Sequence, residues 1–236
     1  MFHYKKRSNE SEIMDDLEME GDELASTLKQ LARVNRWLGG SSVALQGIKS
    51  LLKLQGDNPK TLKIVDIGCG GGEILKLIAD WARKNGIKTE LIGLDANAFT
   101  VEYAKKYCSD YPEISFRQLN VFSEEFAALE YDIALCSLFL HHFTEAEIVK
   151  ILKTLNNSAA IGIVINDLER SKLAYLLFDI VTRILGASKM ICSDGKLSIR
   201  RAFTKRELVK LFEDATINKP KITWKWAFRY EVLALK

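Results

Sequence analysis

Apolar residues recur along this chain in two alternating rhythms. Leu62-Lys63-Ile64-Val65-Asp66 is a short β-branched run that ends in glycines, and Ile74, Leu77, Ile78 and Trp81 then recur at spacings of three and four. The first rhythm predicts a buried strand, and the second a helix with one apolar stripe. The alternation continues, predicting a strand over 90–95, a helix over 98–107, a strand over 114–119 and a short helix near 122–128. A buried strand over 131–136, a helix over 145–155 and a strand over 159–165 follow. Strands alternating with helices imply a parallel sheet covered on both faces. Right-handed crossovers then bring the strand C-termini to one edge, where ligands bind.

Outside this core, 13–54 reads as mostly helical, interrupted by Gly39-Gly40-Ser41-Ser42. Leu173, Leu176, Leu177, Ile180, Val181, Ile184 and Leu185 make one apolar face of a helix over 171–185. With the N-terminal helices it is expected to form a lid, and 190–202 its mobile loop. Thr204-x-x-Glu207 predicts a capping box for a helix over 204–214, ahead of strands at 222–228 and 230–235. The expected division is an N-terminal helical cap over 1–55 and a main domain over 56–236, with the lid inserted at about 168–202.

Composition narrows the class. The 236 residues carry 34 basic and 31 acidic side chains, a net charge of +3 that makes no case for nucleic acid. Lys5-Lys6-Arg7 precedes an acidic run from Glu10 to Glu23, which reads as a solvated helix face. The cysteines at 69, 108, 136 and 192 form no C-x-x-C pair. They are expected to be reduced thiols of a cytoplasmic protein, with no metal site. The start lacks an apolar signal region, and Asp179 breaks the longest apolar stretch well short of a membrane span.

Val65-Asp66-Ile67-Gly68-Cys69-Gly70-Gly71-Gly72-Glu73 joins a predicted strand to a helix. Glycines allow a sharp turn and close approach to a ligand. A dinucleotide fingerprint would need glycine where Glu73 stands, and a phosphate loop would need an absent Gly-Lys-Ser/Thr. An acidic residue ahead of the glycines repels a pyrophosphate but tolerates a cation.

This loop resembles motif I of class I S-adenosylmethionine-dependent methyltransferases. The resemblance runs from about Lys63 to Ile165, resumes over 203–235, and points to the small-molecule branch near quinone- and polyketide-pathway enzymes. It implies a Rossmann-like α/β fold: a seven-stranded, mostly parallel sheet with a C-terminal antiparallel strand and helical lid insertions. It also implies that S-adenosylmethionine is bound by Asp66, Gly68, Gly70, Asp95, Ala96, Asn120, Val121 and Ser137, leaving S-adenosylhomocysteine as product. Asp95 would accept both ribose hydroxyls, which one carboxylate can do. Asn120 stands where the family usually has Asp for the adenine amino group. Asn35-Arg36-Trp37-Leu38 resembles an element that closes over the cofactor, and Trp37 is expected near the sulfonium, where an aromatic face favours a cation.

Methyl transfer needs an aligned nucleophile and, for a phenol, enol or acid, removal of its proton. The histidines are His3, His141 and His142. Leu140-His141-His142 follows the 131–136 strand and resembles the post-strand segment of related small-molecule enzymes, so His141 or His142 is a candidate base or substrate-orienting group. Asn166-Asp167-Leu168-Glu169-Arg170-Ser171 follows the next strand. Asp167 is an alternative base and Arg170 a candidate clamp for an anionic substrate; the plainer expectation is that Asp167 or Ser171 caps a helix and Arg170 pairs with a carboxylate. The expected acceptor is a small, largely apolar, hydroxylated or acidic molecule, methylated on oxygen or carbon. RNA or protein acceptors, or a non-catalytic binding protein, are the alternatives. Neither a nucleic-acid partner nor a membrane span is expected.

Overall fold

The computed structural model describes residues 6–56, 59–184, 186 and 188–236; His3, Lys5 and Leu185 lie outside them. The strands are β1 (Leu62–Ile67), β2 (Thr89–Asp95), β3 (Ile114–Gln118), β4 (Tyr131–Ser137), β5 (Ala159–Leu168), β6 (Lys221–Lys225) and β7 (Arg229–Leu235). They form a seven-stranded sheet in the order β3-β2-β1-β4-β5-β7-β6. Pairs from β3 through β5 are parallel, while β7 runs antiparallel between β5 and β6. Ile64, Val65, Ile133 and Val164 are fully buried, as β-branched runs covered on both faces must be.

The helices are α1 (Asp22–Trp37), α2 (Gly40–Gln55), α3 (Glu73–Lys84), α4 (Ala98–Tyr107), α5 (Glu124–Ala127), α6 (Glu145–Ser158), α7 (Lys172–Ile184), α8 (Lys189–Arg201) and α9 (Lys205–Asp214). Helices α2, α3 and α4 build the core on one face of the sheet, with Ile48, Leu51, Leu75 and Ile78 fully buried. Helices α6 and α9 build the other, through Ile148, Leu152, Leu211 and Phe212. The expected capping box forms: Thr204 Oγ1 accepts from Glu207 N–H, and Glu207 Oε2 accepts from Thr204 N–H at 2.8 Å. Strand order reverses between β1 and β4, so the crevice opens beyond their C-terminal ends. Helices α1, α7 and α8 lie over that edge.

Two expectations are corrected. The 190–202 stretch is helix α8, not a loop. Ser188 caps it by accepting from Ile191 N–H, and Met190, Ile191, Asp194, Ser198 and Ile199 are buried along its inner side. The Phe178 ring of α7 packs where a side chain at Gly195 would stand. The acidic run is not a solvated helix face either. Residues 6–21 form a strap with a single 3-10 turn, Ile13–Asp15, and Glu12 is buried. Asp194 holds this turn by accepting from the N–H groups of Ile13 and Met14, and Asn97 donates to the carbonyls of Leu17 and Met19. Along the α7 apolar stripe Leu173, Leu176, Leu177, Ile180 and Ile184 are exposed, and Leu177 and Val181 line the crevice with Phe178.

Candidate active site

The strand ends and the helices above them enclose one cavity of about 1520 Å³. Ordinary ligand pockets occupy roughly 300–1,000 Å³, so two ligands fit side by side.

One end is built from the β1–α3 turn. Gly68 has φ +71° and Gly70 has φ +52°, in the left-handed region that side chains avoid. A Cβ on Gly68 would stand 2.3 Å from the Phe139 ring, whereas one on Gly70 would meet nothing within 4 Å. The first glycine is needed for packing, and the second keeps a space open. Asp95 ends β2 beside them. Its Oδ2 accepts from Gly70 N–H at 3.2 Å and its Oδ1 from Asn97 N–H at 3.0 Å, and the carboxylate keeps acceptor capacity beyond these bonds. Asp66 is buried, and neither carboxylate oxygen has a hydrogen-bond partner among the described residues. Burial, together with the charges of Asp95 and Glu73, pushes its carboxyl well above the ordinary range. Burial also raises Asp95.

Ala96, Val121 and Asn120 line the same end. Asn120 is exposed, and its Oδ1 accepts from Phe122 N–H at 2.9 Å, which leaves one lone pair for a ligand. Ser137 ends β4 and accepts from Asn166 Nδ2 at 2.8 Å. Trp37 is not part of this surface. It is 79% exposed and does not line the cavity. Helix α1 buries Leu24 and Leu28, and nine residues beyond Leu28 the helix has turned to its opposite side.

The other end gathers side chains far apart in sequence. His141 is buried, and its Nδ1 lies 2.7 Å from Asp167 Oδ1. The same carboxylate accepts from the N–H groups of Leu140 and His141 on Oδ2 and of Leu168 on Oδ1. Burial alone would raise Asp167, but attraction to His141 and the hydrogen bond between them hold it below the ordinary range. Asp167 is therefore a carboxylate and accepts the hydrogen of His141 Nδ1, across the ring from Nε2. That nitrogen faces Glu12 Oε1 at 3.8 Å. Burial pushes Glu12 up to about 7. His142 lies on His141 with ring centroids 4.3 Å apart, and its Nδ1 is 2.6 Å from Asp15 Oδ1. Arg201 binds Asp15 Oδ2 at 2.5 Å and donates to the carbonyls of His141 and His142. Arg7 donates to the carbonyls of His141, Phe143 and Arg201. Leu24, Leu28, Leu177, Phe178 and Met190 make the surrounding wall apolar.

Arg170 is engaged by protein partners, as in the plainer of the two expectations for it. Its guanidinium donates to Glu207 Oε1 and to the Ala202 carbonyl, each at 2.6 Å, and it does not line the cavity. The loop over β5 brings it against α9, where the Thr204 capping box already fixes Glu207. Glu12, Asp15, Arg7 and Arg201 were not singled out from the sequence. They stand on irregular backbone or at a helix end, where no periodic signal marks a buried polar group.

A seven-stranded sheet of this order, with a glycine turn after β1 and an acidic residue ending β2, defines a class I methyltransferase fold. Residues 64–162 match the family model described as a methyltransferase domain. Over that stretch the chain is similar to methyltransferase domains. No curated protein sequence matches it at a significant level. Solved structures with this fold include the plantazolicin methyltransferase BpumL with a triazolic analogue and S-adenosylhomocysteine (TM-score 0.66, 16% identity, 89% of this chain and 90% of that one). Human N-acetylserotonin methyltransferase matches at TM-score 0.65 and 16% identity over 91% of this chain and 56% of that one. Magnesium protoporphyrin IX methyltransferase from Synechocystis PCC 6803 matches at TM-score 0.56 and 16% identity over 86% and 87%. At such identities the likeness is one of fold.

Proposed function

We propose that this protein binds S-adenosylmethionine at the strand tips and transfers its methyl group to oxygen or carbon of a small, largely apolar, hydroxylated or acidic molecule. The observation that carries this reading is the single cavity running from the glycine turn to His141. Three features fit the donor: the unpartnered Asp66 carboxylate, the open space beside Gly70, and the remaining acceptor capacity of Asp95. A buried acid without a partner is costly, and a cationic ligand relieves it. When bound, the sulfonium supplies an electrophilic methyl.

Asp95 accepts the ribose hydroxyls, Asn120 receives the adenine amino group on its remaining lone pair, and Asp66 faces the positive charge. Gly68, Gly70, Ala96, Val121 and Ser137 complete the surface. His141 receives the acceptor's proton at Nε2, and Asp167 positions the ring and favours its charged form. His142, held by Asp15, borders the acceptor. The solved neighbours are named for magnesium protoporphyrin IX, plantazolicin and N-acetylserotonin, and a non-macromolecular acceptor here follows by analogy. The apolar wall supports it. No helix among the described residues is long and apolar enough to cross a membrane, and we place the protein in the cytoplasm.

Calorimetry with S-adenosylmethionine, followed by labelled methyl transfer to a panel of phenols, quinols and fatty acids, tests this. Saturable donor binding and label in one class of small acceptor are expected. Transfer only to RNA or protein overturns the acceptor assignment.

A further inference from the structure

Arg229 opens β7 and is the bulkiest fully buried side chain among the described residues, 1% exposed. Its Nη1 donates to two amide oxygens, Asn35 Oδ1 at 3.2 Å and Asn166 Oδ1 at 3.4 Å, and both partners are neutral. Its Nε is buried without a partner among the described residues. Asp167 attracts the guanidinium without forming an ion pair to it and is bonded to His141. Glu231, two residues along β7 on the same face, pairs instead with Lys225 at 3.2 Å. Burial pushes the guanidinium down to about 10, against the pull of Asp167, so it stays charged at neutral pH. A buried cation with only neutral partners costs free energy until an anion arrives.

The surroundings hold this cation at the cavity. Arg229 lines it together with Asn35, Leu38, Ser41, Trp226 and Phe228. Asn166 is fixed in turn by donating to Ser137 Oγ at 2.8 Å and to the Gly40 carbonyl at 3.2 Å. A Cβ on Gly40 would stand 2.1 Å from Arg229 Nη1, so glycine there makes room for the guanidinium. With Nη1 taken and Nε sealed, Nη2 is left to meet the cavity. Ser41 accepts from Asn35 Nδ2 at 3.4 Å and has a hydroxyl hydrogen of its own to donate. One cation and one hydroxyl beside apolar rings suit a single carboxylate on an apolar body. Their position favours the acceptor over the donor. Asp66, Asp95 and Ser137 stand on β1, β2 and β4, whereas β7 lies beyond β5. At a strand spacing of about 4.8 Å, β7 is about 10 Å from β4 and about 14 Å from β1.

We propose that Arg229 and Ser41 hold the carboxylate of an acidic, otherwise apolar acceptor. The proposal rests on the methyl-transfer reading above and narrows its acceptor to acids. The ion pair forms away from bulk water, where it is weakly screened, and so fixes the acceptor by its head. The apolar body lies along Leu38, Trp226 and Phe228.

The test uses pairs of equal shape that differ in charge: phenylpropionate with phenylpropionamide, and octanoate with octanamide. Each is titrated calorimetrically into the protein saturated with S-adenosylhomocysteine. The wild type is expected to bind the acid of at least one pair about tenfold or more tighter than its amide, the order of one hydrogen bond between charged groups. Arg229→Met removes the cation at similar length, and an apolar replacement of a buried charge without a counter-charge leaves the fold stable. It should bring acid and amide within about threefold, as one lost contact predicts, with S-adenosylhomocysteine affinity and melting temperature maintained. Arg229→Lys keeps the charge without the fork and should retain part of the preference. Equal binding of acid and amide by the wild type, or a preference that survives Arg229→Met, overturns the proposal and leaves the methyl-transfer reading standing. A preference lost equally in the lysine variant also overturns it, by making packing rather than charge the cause. So does a loss of S-adenosylhomocysteine affinity in Arg229→Met, which would place the donor's own carboxylate there. If the wild type fails to bind S-adenosylhomocysteine at all, the methyl-transfer reading falls and takes the proposal with it.

Discussion

The two ends of the cavity are assembled by opposite means. The donor end consists of strand tips and one turn, in which Asp66, Gly68, Gly70 and Asp95 are held by the parallel register of β1 against β2. The acceptor end is a convergence: Glu12 comes from the strap, His141 and His142 from the turn after β4, Asp167 from β5 and Arg201 from the end of α8. Backbone geometry positions the first, and mutual hydrogen bonds between distant side chains position the second. Substitutions at the donor end should therefore act on binding of the donor alone. Those at the acceptor end should act on turnover or acceptor choice while donor binding persists.

The largest effect that would sharpen this contrast is at His141. We expect His141→Gln to lower turnover about 10²–10⁴-fold, the usual contribution of a positioned base, with S-adenosylmethionine affinity unchanged by calorimetry. Unchanged turnover would remove His141 from the chemistry.

Gly70→Ala tests the other end. The new methyl meets no protein atom within 4 Å, so it should weaken donor binding about 10²-fold while costing only about 1–2 kcal/mol for the left-handed backbone. Gly68→Ala, whose methyl would strike Phe139, should instead show its loss as a lowered melting temperature. Equal donor affinity in Gly70→Ala and the wild type would break the comparison.

Arg170 separates structure from function. Arg170→Met leaves Glu207 partly buried and unpaired. The cost should be about 2 kcal/mol, below that of breaking a fully buried pair because the Glu207 side chain is 23% exposed. Turnover per folded molecule should not change. Burial alone would raise Glu207, but Arg170 and the Thr204 cap hold it below the ordinary value of 4.5. Its contribution to stability is thus complete above that pH and fades as pH falls through the lowered pKa. Urea titrations of both proteins across acidic pH should show the variant losing less on acidification.

The smallest effect is at Trp37. Trp37→Ala should leave donor affinity within about twofold, as expected for an exposed side chain outside the site. A larger loss would mean that α1 turns this face inward when the donor binds.

How much of this was legible depended on the kind of position. Strand and helix periods predicted β1 to β5 and α3, α4, α6 and α9 closely, because each helix buries one regular face and the strands are apolar runs buried on both. The acidic run from Glu10 to Glu23 and the 190–202 stretch were misread. In the first, nothing periodic distinguishes the buried Glu12 from the exposed Glu10 beside it. In the second, Ser193, Asp194, Gly195 and Lys196 interrupt the apolar pattern of α8, although Asp194 is buried by capping the strap's turn. Arg170 looked like a clamp because it follows a strand at the ligand edge; the partner that occupies it, Glu207, lies 37 residues away.

The sequence by itself determined the alternating architecture, the glycine turn and the acidic residues before and beyond it, because these depend on contacts within a few residues and on side-chain period. Only the tertiary structure decided which polar groups meet at the acceptor end. A hydrogen bond between Asp167 and His141, or a gap between His141 and Glu12, depends on how separate elements pack, and no local pattern along the chain encodes those distances.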